Sequence, residues 1–154
     1  MRKIRLLILL GFAAGIVHAQ LSPDAPPDKP FDVTDKQMEE YEKAIAPYVA
    51  QARRTLPEAK RKYTSGLGLG QTFFLTIRIY DPDKNFEQVF VRITEWKGKT
   101  IAGVIASELN VVTSYRAGEK IKFKKAEVLD WLIAHPDGSE EGNFVGNFLD
   151  TYRK

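Results

Sequence analysis

The chain has 154 residues, 44% of them hydrophobic, with 23 Lys and Arg against 20 Asp and Glu and no cysteine. That length suffices for one domain with a sizeable core, and the missing thiols exclude cysteine nucleophiles, thiolate metal sites and dithiol redox chemistry. Three basic residues and no acidic ones fall within positions 1–19, so the remainder is formally balanced, and the net charge of +3 makes no case for a nucleic-acid or anionic-membrane partner.

Arg2, Lys3 and Arg5 precede an apolar run from Leu6 to Val17, and Val17-His18-Ala19 places small residues where a signal peptidase reads. A helix crossing a hydrocarbon core needs about 20 apolar residues, and this run is shorter. Residues 1–19 are therefore expected to be a secretory signal cleaved before Gln20, leaving a periplasmic or secreted chain without a stable membrane span. The stretch QLSPDAPPDKP that follows is proline-rich and extended, and residues 20–33 read as a linker. Residues 34–154 read as one domain.

Thr34 is placed to cap a helix, with Gln37 as its capping-box partner and Val33 stapling onto Met38. Met38, Tyr41, Ile45, Val49, Ala52 and Leu56 recur at helical spacing and form one apolar stripe, which reads as core. Pro47 predicts a kink or restart near Ala46, and Pro57 predicts a new short segment ending at Gly66, Gly68 and Gly70.

The period then changes to two. Phe73, Leu75, Ile77 and Ile79 alternate with Phe74, Thr76, Arg78 and Tyr80, DPDKN turns the chain, and Val89, Val91 and Ile93 return on one face with Arg92 on the other. Lys97-Gly98-Lys99 starts a third strand, TIAGVIAS, in which Gly103 signals a bulge, a bend or close backbone approach. Ile121 and Phe123 make a short fourth strand. Val128, Leu129, Trp131 and Leu132 form an apolar cluster beyond it, and the tail carries Phe144, Val145, Phe148 and Leu149 to pack back. The expected architecture is α+β: an N-terminal helical segment packed on a curved antiparallel sheet, closing as an SH3-like small barrel.

Ala52, Thr55 and Leu56, the VFVRI hairpin with Gly103, Asn110, Gly118-Glu119-Lys120-Ile121, Asp130-Trp131 and Gly142-Asn143-Phe144 follow one another in an order and spacing that resembles the YegJ-like bacterial family, domain of unknown function 2314. The resemblance spans about Ala44 to Phe148. It implies no activity, and where relatives often carry a tryptophan in the second strand this chain has Phe90.

The chemistry-bearing residues are few. His135 lies in AHPDG, a turn sequence, and no HExxH or GxSxG spacing accompanies it. Asp130 and His135 with Ser139 or Ser107 make a hydrolytic triad in composition only. The acidic pairs Glu39-Glu40, Glu140-Glu141 and Asp81 with Asp83 read as solvated surface, and the GLGLG string precedes its strand, unlike a phosphate loop. No metal or cofactor is expected. Trp131, Asp130 and Gly103 are assigned to structure. Trp96, beside the KGK turn, is expected to project past the sheet edge and, with Arg92 and Asn110, to contact a partner. The reading adopted is an exported non-enzymatic binding or accessory protein for a protein or envelope ligand. The alternatives are a periplasmic immunity-like inhibitor of a toxin or hydrolase, and a hydrolase built on Asp130 and His135.

Overall fold

The computed structural model describes residues 35–152. The expected signal sequence, the linker and the Thr34 cap lie outside these residues. Helix α1 runs Asp35–Ser65, 31 residues without a break at Pro47 or Pro57. Both prolines, and Lys43 and Arg53 four residues before them, are exposed. The carbonyls that lose a backbone donor therefore lie on the solvent side, and the helix continues through both prolines with no restart.

Strands β1 (Thr72–Tyr80), β2 (Phe86–Lys97), β3 (Thr100–Ile105) and β4 (Lys120–Lys124) form the expected antiparallel meander. A 3-10 turn at Lys125–Glu127 then carries the chain back to β5 (Asp130–Ala134), which pairs antiparallel with the free side of β1. Strand β6 (Glu140–Gly142) pairs with β5, and helix α2 (Phe144–Tyr152) ends the described chain. The order in the six-stranded sheet is β4-β3-β2-β1-β5-β6. The SH3-like barrel is thus corrected to an open sheet: closure would require β4 and β6 to meet, but they are its two edges, and β6 has only three residues before the chain winds into α2.

The register defines two faces. Phe73, Leu75, Ile77, Val89, Val91, Ile101, Ile105, Phe123, Trp131 and Ile133 lie on the first, where Ala52, Leu56 and Ala59 of α1 join them in the main core. Residues of the opposite parity form the second face. Over β1 and β5 it too is buried, at Phe74, Thr76, Asp130 and Leu132. The N-terminal half of α1 reaches this side: Gln88 Nε2 donates to the Tyr41 hydroxyl at 2.8 Å, and Arg78 pairs with Glu42 at 2.6 Å.

Two local features shape β2 and β3. Ile93 pairs with Gly103 and Glu95 with Ala102, so Thr94 is the extra residue of a bulge in β2. Gly103 lies opposite it, where a Cβ would sit 2.5 Å from both the Arg92 carbonyl oxygen and Val91 Cγ1. The glycine is there for close approach, and the inserted residue belongs to the partner strand.

Candidate functional site

Asp130-Trp131 and Gly142-Asn143-Phe144 meet at one joint. The Asn143 amide donates to the Trp131 carbonyl at 2.8 Å, and Gly142, at φ 84°, lies so close to Trp131 that a Cβ would be 2.3 Å from that same oxygen. Only glycine fits there. Asp130 is 1% exposed, accepting from the Trp131 amide at 2.8 Å and from the Val145 amide at 2.6 Å. Phe144 and Gly146 amides also bond to it, so the carboxylate caps the first turn of α2 from the neighbouring strand. Burial pushes Asp130 up to about 6, against the pull of these four amides.

Trp131 completes the joint. Its Nε1 donates to Thr55 Oγ1 at 2.9 Å, and its ring meets Phe144 edge-on with centroids 5.8 Å apart. Three separate stretches of sequence thereby clasp α1, β5 and α2, and every polar atom named has a partner within the protein. Such a cluster fixes structure and leaves little for a ligand to take.

His135 is elsewhere. It lies five residues beyond Asp130, about 16 Å along extended chain, and with the opposite parity. Its Nδ1 accepts from Gln71 Nε2 at 3.0 Å, its Nε2 is 3.2 Å from Glu141 Oε1, and Lys62 binds the other oxygen of Glu141. The Lys62 ammonium holds the Glu141 carboxyl below the usual carboxylate range, and the same hydrogen bond raises the Lys62 ammonium. Ser139 bonds Asp137, and Ser107 accepts from the Phe90 amide. The residues of the compositional triad are thus dispersed over separate networks. The His135 cluster borders an open groove of about 600 Å³ lined by Glu58, Arg61, Lys62, Gln71 and Ile133. Among the described residues, no three His, Cys, Asp or Glu side chains gather as for a metal, and no helix is long and apolar enough to cross a membrane.

The acidic pairs are only partly solvated. Asp81 is buried and ties its own hairpin, accepting from the Asn85 amide and side chain at 2.9 Å each. Glu140 accepts from Asn143 Nδ2 at 2.8 Å. These are turn-closing groups, which the surface reading of the pairs had missed.

The three expected contact residues do not converge. Trp96 is half-buried: its ring stacks on Phe73 at 6.3 Å, Lys60 lies 5.0 Å over it, and Nε1 donates to the Gly98 carbonyl. The Thr94 bulge turns it onto the core face, so it does not project past the sheet edge. Asn110 is exposed, its amide donating to Glu87 Oε1 at 2.7 Å, in a loop also held through Val112. Arg92 is exposed on the second face, opposite in direction to Trp96.

Around Arg92 that face is bare. The register places Arg92, Val104 and Lys120 in one row, with Ala102 and Lys122 in the next and Thr100 and Lys124 beyond. Arg92 and the three lysines are exposed, Ala102 and Val104 are partly so, and among the described residues none of these four cations makes an ion pair. Sequence alternation could have located the Lys120-Lys122-Lys124 stripe, since each lysine is separated by a core residue, but not its alignment with Arg92.

A long helix packed on an open six-stranded antiparallel sheet, with a short C-terminal helix locked by a buried carboxylate, defines an α+β protein. The family model described as an uncharacterized protein conserved in bacteria (DUF2314) matches residues 35–150, and the chain belongs to that family. No curated protein and no solved structure matches it.

Proposed function

We propose that the chain is an exported, non-enzymatic binding or accessory protein that holds a partner on the bare half of its second sheet face, over β2, β3 and β4. The observation that carries this reading is the contrast along one face: Phe74, Thr76 and Leu132 are buried, whereas Arg92, Val104, Lys120 and Lys122 are left uncovered by the same sheet. Polar networks elsewhere close on themselves, at the Asp130 joint and around His135, and so offer less to an outside ligand. Arg92 has the planar donor fork suited to an interface, set beside small half-exposed aliphatic residues.

The test is site-specific crosslinking in cells. A photoreactive residue replacing Val104 should give a discrete adduct with the exported protein, and one replacing Tyr152, exposed at the other end of the chain, should not. The recovered protein should begin at Gln20. Equal labelling from both positions, or none from Val104, would overturn the reading, and a retained Met1 would overturn export.

A further inference from the structure

The edge of the bare face has a more specific form. We infer that β4 receives an extended acidic segment of a partner protein, added as a seventh strand, with carboxylates at alternate positions facing Lys120, Lys122 and Lys124. This rests on the proposed use of the second face and names the partner's chemistry.

Three observations converge. Strand β4 is an edge whose one sheet neighbour is β3. Ile105 donates to the Glu119 carbonyl and Lys125 donates to the Lys99 carbonyl, so the odd residues of β4 bond inward. By the alternation of an antiparallel ladder the amides and carbonyls of Lys120 and Lys122 point outward. The Lys124 amide also points out, but the Glu127 carboxylate occupies it. The open stretch is therefore Lys120–Lys122.

The side chains set the composition of the added strand. Lys120, Lys122 and Lys124 lie on the second face at intervals of about 7 Å, the repeat of alternate residues in any strand, so carboxylates at every second position of a neighbour would stand opposite them. Residues between those carboxylates would turn to the first face, beside Ile121, which is only partly buried, and Phe123. Acidic on one side and aliphatic on the other is the pattern that satisfies both. Edge lysines also serve to repel strand addition by other proteins. A lysine edge discriminates by charge, however, and an acidic strand is the partner it does not repel. Lipid headgroups would need only the cations, neither the open ladder nor Ile121.

A labelled peptide of about ten residues, alternating Glu and Val, is the probe, matching a typical strand length. Binding to the purified chain should weaken about tenfold or more on raising salt to half-molar. It should weaken similarly when the peptide amides that face the edge are N-methylated, and in Lys122→Glu, whose thermal midpoint should stay within a few degrees of the parent because the site is exposed. A peptide alternating Lys and Val should in turn prefer Lys122→Glu over the parent chain, a reversal that no loss of folding can produce. No peptide binding, equal binding of a shuffled Glu and Val peptide, or binding of phosphatidylglycerol vesicles with no effect of N-methylation would overturn the inference. A Val104 adduct obtained alongside any of these results would leave the proposed function standing without the acidic strand.

Discussion

Replacing Trp131 with alanine tests whether the joint between β5 and the two helices holds the fold together. The residue is 6% exposed, and a buried tryptophan removes about 200–250 Å² from water. At about 25 cal/mol per Å² this is an upper bound of about 5–6 kcal/mol. Deletion also breaks the bond to Thr55 Oγ1 and the edge-on contact with Phe144. The Thr55 hydroxyl keeps its bonds to the Gln51 and Ala52 carbonyls, so no buried orphan is left to add to the cost. The expected destabilisation of Trp131→Ala is therefore about 3–5 kcal/mol, the range for truncating a large buried aromatic. Trp131→Phe, which keeps most of the apolar area and loses the indole donor, should cost about 1–2 kcal/mol. Urea unfolding followed by far-ultraviolet circular dichroism measures both without relying on the deleted fluorophore. A loss below about 1 kcal/mol for the alanine variant, the scale of surface substitutions, would refute the joint as a major source of stability.

Asp130 sets a pH dependence. Its folded-state value of about 6 lies above the ordinary 3.8, so its contribution is fully present below about 4 and is lost as pH rises through about 6, an effect of about 3 kcal/mol. Denaturation midpoints between these limits should show that gain on acidification in the parent and not in Asp130→Asn; parallel curves would show that the carboxyl is not raised. Gly142→Ala should cost well over 1 kcal/mol, since its Cβ would meet a backbone oxygen, and a parent-like thermal midpoint would contradict the close approach. Trp96→Ala should lower stability by about 1–3 kcal/mol, less than Trp131 because it is only half-buried; an unchanged midpoint would return Trp96 to the solvent-facing role expected from its place beside the turn.

The elements that were legible from sequence are those in which polar and apolar side chains keep a period. Strand β2 alternates because one face is core over much of its length, β1 shows its period through the polar Thr76 and Arg78 although Phe73 to Ile77 are buried on both faces, and the α1 stripe places Ile45, Ala52 and Leu56 where they are buried. Strand β5 showed no period because Asp130 to Ile133 are buried on both faces, so DWLIA reads as a cluster. Helix α2 contains Gly146 and Asn147 and has little intrinsic propensity; its first turn is held by Asp130, a residue no local window includes. Trp96, expected at the sheet edge from its place beside the KGK turn, is turned inward by a single inserted residue. Uninterrupted alternation puts it on the same side as Arg92, and the Thr94 bulge reverses its direction. The compositional triad is dispersed because Asp130 is turned to the second face of β5, whereas His135 lies just beyond the end of that strand and is held by Gln71 and Glu141.

The place of β5 also has a consequence in time. Four strands follow one another in the chain, but the inner strand β1 acquires its second neighbour only from residues 130–134. Until that segment has left the ribosome, Phe73, Phe74 and Leu75 border a bare row of amides, and loop closure across more than fifty residues is slow. The hydrophobic interior therefore stays open throughout most of synthesis, and it is sealed only when the C-terminal part of the sheet has been made.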